Sequence, residues 1–383
     1  MAATKQSKNG VYLPADLVNE ILLKLPIKSI VRFNCVAKNW YHLFKNPTFV
    51  SEHNFMLSKK NSAPSLIINY RDEIDDGKIG LMMFGDDKTF VSYHDLHQQL
   101  PCHVADNIKD FNLAVWDGLV CLYNFKNCNF TVWNPATREF RILPDCNFNN
   151  NPPREDSKFV QHHVGFGIDP LSNDYKVLCI RVEHIDYELM IYHYAIYRMS
   201  SDSWRVLKKE ELQLVKDPLL ISNSSNVCVS GVCYWQVLES LSSGKCKLLK
   251  FNLGTEVFQL MDSPIPGNTY GDLMPLTDGR IALWDSYTMN NACAVWVLNL
   301  NHQGNYWTNK LITIDVPAGI ERMYGFWTHG KVFVESSLSG QALYDLKTRE
   351  VNDLGIYGIH PSHHMVYMYT YKESLLGCSK IAS

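Results

Sequence analysis

The sequence predicts an α plus all-β chain of two parts: three short N-terminal helices, then a β-propeller-like domain of about six blades. Three observations carry this. Apolar residues recur at three- and four-residue spacing up to about residue 57. Beyond that point short runs rich in Val, Ile, Tyr, Phe and Trp are punctuated by Gly, Asn, Asp and Pro. Those runs repeat weakly: Gly231 to Gly279 spans 48 residues and Gly279 to Gly330 spans 51, a length that suits one four-stranded blade. The parts are placed at residues 8–57 and 62–378 of a 383-residue chain.

In the helical part, Leu17, Val18, Ile21, Leu22 and Leu25 share one helix face, bracketed by Pro14 and Pro26. Ile27, Ile30, Val31, Cys35 and Val36 continue the pattern, followed by Trp40, Leu43 and Phe44. Some forty residues cannot bury that much apolar surface alone, so part of it is left for a partner.

In the second part the candidate strands are Ser65–Tyr70, Ile79–Phe84, Leu119–Phe125, Asn129–Asn134, Tyr175–Val182, Tyr192–Met199, Val232–Val237, Lys247–Asn252, Ile281–Asp285, Ala294–Leu298, Lys331–Glu335 and Ala342–Asp345. A glycine opens a strand at Gly118, Gly231, Gly279 and Gly330. Each unit then reaches an Asn or Asp turn, seen at Asn134–Glu139, at Asp345–Glu350 and, one residue shorter, at Asn252–Glu256. The longer interval from Gly165 to Gly231 implies an insertion around residues 184–190 or 208–226. The rival architecture is a β-sandwich; the long period and the protected edges of a ring favour the propeller.

Composition bounds the function. Hydrophobic residues make up 46% and charged residues 20%, as in a folded globular chain. The net charge of −3 argues against general nucleic-acid binding. Residues 1–57 hold seven Lys and Arg against three Asp and Glu, a local +4, so the remainder carries −7, which suits a basic partner. Eleven cysteines, an odd number with no CxxC pair, read as reduced thiols of a cytoplasmic protein. The N-terminus has no apolar signal region, and no stretch approaches a membrane span.

Catalytic chemistry is not evident. Gly165-Phe166-Gly167 lacks the third glycine of a dinucleotide loop and reads as a tight turn between blades. His162-His163 and His363-His364 are adjacent pairs whose members point to opposite faces of a strand, so neither supplies two ligands to one metal. Cys228 and Cys233 lack a completing His and read as small hydrophobes. No catalytic residue, cofactor or metal is expected. Trp116, Trp133, Trp204, Trp235, Trp284, Trp296, Trp307 and Trp327 lie in or beside strands and are expected between blades. Asp72, Glu73, Asp75, Asp76, Asp86 and Asp87 read either as an acidic rim that attracts a basic protein or as a solvated hairpin.

The order Leu13-Pro14, Asp16-Leu17, Ile21-Leu22, Leu25-Pro26, Lys28-Ser29, Arg32-Phe33, Cys35-Val36, Lys38 and Trp40 closely resembles an F-box, with Ala37 where plant members often have Ser. Downstream, Trp133-Asn134-Pro135-Ala136-Thr137-Arg138, Gly165-Phe166-Gly167-Ile168-Asp169, Asn173-Asp174-Tyr175-Lys176-Val177 and Ser203-Trp204-Arg205 resemble the F-box-associated domain of plant F-box proteins. With Tyr371-Lys372-Glu373-Ser374-Leu375, the chain looks like the pollen S-locus F-box group.

The resemblance implies a non-catalytic substrate receptor of an SCF ubiquitin ligase. Leu13, Pro14, Leu17, Ile21, Leu22, Leu25, Pro26, Ile27, Ile30, Val31 and Trp40 are implied to dock on Skp1, which brings cullin-1 and a RING subunit. The narrower resemblance implies a basic S-RNase as the target, met in the pollen-tube cytosol. Alternatives are an F-box receptor for a different target, or a propeller enzyme with a helical appendage, which would need paired carboxylates at the ring's centre.

Overall fold

The computed structural model describes residues 13–59, 65–70, 78–84, 90–124, 126–146, 148, 153–186, 189–212, 220–222, 226–238, 245–265, 271–276, 279–285, 292–301, 304–307, 312–315, 319–328, 330–337, 340–356 and 366–378. Its helical part contains four helices rather than three: α1 (Ala15–Leu23), α2 (Ile27–Phe33), α3 (Lys38–Phe44) and α4 (Pro47–Lys59). Pro14 and Pro26 sit at the N-caps of α1 and α2, where their missing N–H groups cost nothing. The fourth helix packs on α1 and α3; its His53 is fully buried, stacks on Phe49 and donates from Nε2 to the Leu25 carbonyl, just after α1, at 2.9 Å.

The rest is a ring of six antiparallel sheets among the described residues. Listed from the innermost strand outward, blade 1 is Val366–Tyr371, Ser65–Tyr70, Lys78–Phe84 and Phe90–Asp95. Blade 2 is Phe111–Trp116, Leu119–Asn124, Phe130–Trp133 and Phe140–Ile142; blade 3 is Phe159–Ile168, Tyr175–His184, Met190–Arg198 and Ser203–Leu207. In blade 4, Leu220–Ile221 and Val227–Val229 both pair with Val232–Leu238, followed by Cys246–Asn252 and Val257–Asp262. Blade 5 is Asp272–Pro275, Ile281–Asp285 and Ala292–Asn301, with Gly304–Trp307 and Ile312–Asp315 on its outer edge. Blade 6 is Ile320–Thr328, Lys331–Ser336, Gly340–Asp345 and Val351–Ile356.

The ring closes because the last strand, Val366–Tyr371, pairs with the first, Ser65–Tyr70, over six residues. Neither end of the sheet set is left as an open edge. Between blades the core is aromatic and aliphatic. Trp133, Trp235 and Trp284 are at most 1% exposed and Trp204 is also buried, as the tryptophan pattern predicts.

Short reversals follow from residue type. Asp117-Gly118 and Ser230-Gly231 both have positive φ at both positions, the two-residue turn whose twist matches the flanking strands. A second reversal recurs at Asn124, Asn134, Asp169, Asn252 and Asp345. In each, the side-chain oxygen accepts the N–H two residues on, and the carbonyl accepts the N–H four residues on. The residue four positions after the opening Asn or Asp (Cys128, Arg138, Asn173, Glu256 and Arg349) has φ near +60°. The Asn252 turn is therefore the same length as the Asn134 turn, not shorter.

Gly165 and Gly167 correct another expectation. They lie inside the innermost strand of blade 3 rather than in a turn. A Cβ on Gly165 would stand 2.8 Å from Cys233 Sγ, and one on Gly167 would stand 2.5 Å from Cys228 Sγ. Glycine is needed there because the next blade approaches closely.

Candidate docking face and its junction with the propeller

Helix α1 divides its apolar residues between two sides. Leu22 points inward and is 2% exposed, joined by Ile27, Ile30, Phe44, Phe49 and Val50. Leu17 and Ile21, one turn apart, are 48% and 50% exposed, and Leu13 before them is 50% exposed. Pro14 and Pro26 are exposed, while Leu25, Val31 and Trp40 are half-buried. Of the eleven residues expected at the adaptor contact, Leu22, Ile27 and Ile30 thus belong to the interior of the helical part. Their side chains are spent on its own core, which the helical period alone could not tell from its surface. Val36, at 60% exposure, and Tyr41 are large apolar groups on the surface that the expected set left out.

The helices are fastened to the propeller by the segment after the closing strand, residues 372–378. Leu375 is buried in the helical core together with Ala136 and Leu376 at its margin. Three residues later Cys378 is fully buried in the core between blades 2 and 3, and its thiol donates to the Glu139 carbonyl at 3.4 Å. Asn134, 0% exposed, serves both sides. Its Oδ1 holds the turn, and its Nδ2 donates to the carbonyls of Ser374 at 2.9 Å and Leu376 at 2.8 Å. Lys45 of α3 reaches Glu139 at 3.3 Å, a partly exposed pair that adds little energy but fixes register. Gly118 lets the segment lie flat: a Cβ there would be 2.4 Å from Ser374 Cβ.

The helices meet the propeller on the face that carries the Gly118 and Asn134 reversals. The strand ends that the longer connections join, at Ile142 and Phe159 and at Leu207 and Val227, lie on the opposite face. On that side Glu183, 1% exposed, pins the connection into blade 3. Its carboxylate accepts from the Arg154 N–H and the Ser157 hydroxyl, each at 3.1 Å, and pairs with Arg181 at 2.8 Å and His193 at 2.9 Å.

The expected acidic residues Asp72, Glu73, Asp75, Asp76, Asp86 and Asp87 lie outside the described residues. The strand ends flanking them differ in place. Tyr70 and Lys78 pair on the face away from the helices, whereas Phe84 and Phe90 pair at the other end of the same sheet.

At the centre of the ring is a cavity of about 40 Å³, lined by Ala114, Val115, Phe166, Cys228, Pro275 and Tyr369 among others, with no carboxylate among the described residues. It has room for a few waters. No group of His, Cys, Asp or Glu among the described residues is placed to hold a metal, and no described helix is long and apolar enough to cross a membrane.

Comparison with known proteins agrees with this architecture. A profile of the F-box domain matches residues 12–52, and one of the F-box associated beta propeller domain matches residues 75–366. The chain belongs to the F-box-associated β-propeller family of F-box proteins. Among relatives from Arabidopsis thaliana, the putative F-box protein At1g47790 is 26% identical over 327 residues, covering 80% of this chain and 72% of its own. The putative F-box protein At3g10240 is 25% identical over 368 residues, covering 87% and 82%. The F-box/kelch-repeat protein At3g17530 is 26% identical over 317 residues, covering 79% and 76%. An F-box implies docking on Skp1 within an SCF complex, and the family as a whole points to a substrate adaptor.

Proposed function

We propose that this F-box protein is the substrate receptor of an SCF ubiquitin ligase, that its target is a basic S-RNase in pollen, and that it resembles the S-locus F-box group in that role. The observation that carries the receptor reading is the split of α1. A closed core lies behind Leu22, Ile27 and Ile30, an exposed stripe of Leu13, Leu17 and Ile21 lies in front, and the whole is clamped to a propeller. Exposed apolar groups at the centre of a polar surface are what a docking partner needs. Leu13, Pro14, Leu17, Ile21 and Pro26 make the direct contact; Leu25, Val31 and Trp40 border it; Leu22, Ile27 and Ile30 hold it in shape.

Ubiquitin transfer then requires no acid, base or nucleophile from this chain. Skp1, cullin-1 and the RING subunit bring the charged E2, and the receptor supplies proximity. The target sits on the face away from the helices, where the connections are long. The net −7 of residues 58–383 favours a basic ligand.

The test is a pull-down from pollen extract with the intact chain and Ile21→Arg. The intact chain is expected to recover Skp1, cullin-1 and S-RNase. Ile21→Arg is expected to lose Skp1 and cullin-1, keep S-RNase and unfold at the same denaturant concentration. Recovery of Skp1 without S-RNase would overturn the self-incompatibility assignment and keep the ligase. Loss of nothing on Ile21→Arg would remove the docking face. Leu22→Arg serves as a contrast: it buries a charge in the helical core and should unfold that part outright.

A further inference from the structure

We infer that Cys128 and Cys179 form a peroxide-sensitive thiol pair that closes to a disulfide between blades 2 and 3. The argument is geometric. Cys128 ends the Asn124 turn on the face away from the helices, and Cys179 lies in the second strand of blade 3, 51 residues on. Their sulfurs stand 3.8 Å apart, in van der Waals contact. Cys146, from the connection between the same blades, lies beside Cys179, and the His162 imidazole lies beside Cys128. Three thiols and an imidazole are thus gathered at one seam, and they do not meet the geometry of a metal site.

The two partners are unlike. Cys128 is 8% exposed, whereas Cys146 is at 2% and Cys179 at 0%. The hydrogen bond with Cys179 and the neighbouring His162 and Arg181 lower the Cys128 thiol to about 6, while burial raises Cys179. The nucleophile is therefore the thiol nearest solvent, and the resolving thiol lies behind it. In the first step the Cys128 thiolate attacks a hydroperoxide oxygen. The O–O bond breaks, and the leaving oxygen takes up a proton to depart as water (or as the alcohol from an organic hydroperoxide). In the second, the Cys179 sulfur attacks the Cys128 sulfenic acid, the S–O bond breaks and water leaves. With hydrogen peroxide, two thiols are oxidised and the peroxide is reduced to two waters. In a reducing compartment such a bond is transient, as sensing disulfides are. It ties a turn on the face away from the helices to the next blade and leaves the docking helices untouched, so it goes beyond the receptor reading and does not depend on it.

The test uses the full reduced chain and graded hydrogen peroxide, quenched with catalase, then alkylated under denaturing conditions and peptide-mapped. The expected result is a species two hydrogens lighter containing a Cys128–Cys179 cross-linked peptide. It should form before the exposed Cys35 and Cys102 lose their alkylation and be reversed by dithiothreitol. Its thermal midpoint should rise by several degrees over the reduced form. Cys128→Ser should abolish the cross-link and Cys146→Ser should leave it. Should Cys128→Ser fail to fold, the wild-type map decides alone. Oxidation first at Cys35 or Cys102 with Cys128 and Cys179 both alkylated, or a Cys146–Cys179 cross-link in place of the expected one, would overturn the inference.

Discussion

The two faces of the propeller are built on different rules. On the helix side, reversals are short and closed by their own residues: Gly118 and Gly231 with positive φ, and Asn134, Asp169, Asn252 and Asp345 with side chains folded back on the turn. On the other side the Asn124 turn is of the same kind, but the connections from one blade to the next also begin and end there, held at points such as Glu183. One face fixes geometry, and the other tolerates changes of length, because loops that close on solvent cost little to extend. A receptor needs both: a rigid seat for the helices and a surface free to vary.

The largest effect that would sharpen this contrast is at Lys176. Its ammonium is 3% exposed and bonds Asp169 at 2.9 Å, Glu256 at 2.8 Å and the Leu253 carbonyl at 2.7 Å, joining the helix-side turns of blades 3 and 4. Glu256 is in turn held by Arg198 and Arg205. Lys176→Met leaves two carboxylates without their shared cation and is expected to cost about 3–5 kcal/mol in urea unfolding. A cost below 1 kcal/mol would mean that the helix-side face is not specially fixed.

Next comes a pair of glycines with similar backbone and different surroundings. Gly118 has φ +88° and faces the 372–378 segment, with the Lys372 carbonyl 2.6 Å from a built Cβ; Gly279 has φ +81° and nothing within 4 Å. Gly279→Ala carries conformational strain alone, about 1–2 kcal/mol. Gly118→Ala adds the clash and is expected to cost about 2 kcal/mol more. Equal costs would show that the segment moves aside freely and does not clamp the helices.

Asn134 and Asp345 make the same turn, but Asn134 also donates to Ser374 and Leu376. Asp345→Ala is expected to cost about 1 kcal/mol and Asn134→Ala about 2–3 kcal/mol, since two buried carbonyls lose their donor. Limited proteolysis should release residues 372–378 in Asn134→Ala alone.

How far these features were legible depended on burial. All twelve strands read from the sequence are the second and third strands of the six blades. Those carry the longest apolar runs, as in Val177–Ile180 of Tyr175–His184, a strand in which every residue is buried. The outer strands alternate weakly: Phe140–Ile142 and Ser203–Leu207 are largely exposed. The inner strand of blade 3 carries Gly165 and Gly167, which hide a strand behind turn-like composition. Helix α4 was missed because His53 holds a core position where the pattern calls for an apolar residue. In the helical part the period could not sort the exposed Leu17 and Ile21 from the buried Leu22, because the same stripe serves core and surface. The 372–378 segment has no period at all; its meaning lies in partners some 240 residues away.

The smallest effect separates the faces by pH. His163, 5% exposed in the inner strand of blade 3, is pushed down to about 3 from 6.5, first by burial and then by the nearby His162 and His184. In the folded chain it stays neutral while the unfolded chain takes up a proton. Its contribution is therefore complete above 6.5 and is lost as pH falls from there toward 3. Between pH 7 and 5 that loss amounts to about 1.5–2 kcal/mol. Asp169 behaves as an acid with the same sign in a lower window. Hydrogen bonds from Ser172 and Lys176 outweigh its burial and set it at about 2, so its contribution holds above 3.8 and fades below. Urea midpoints measured from pH 7 to 3 should thus fall in two stages. His163→Leu should reduce the first, to which His103, His184 and His193 also contribute, and leave the second; Lys176→Met should reduce the second and leave the first. If His163→Leu left the loss between pH 7 and 5 unchanged, burial of His163 would not contribute to it.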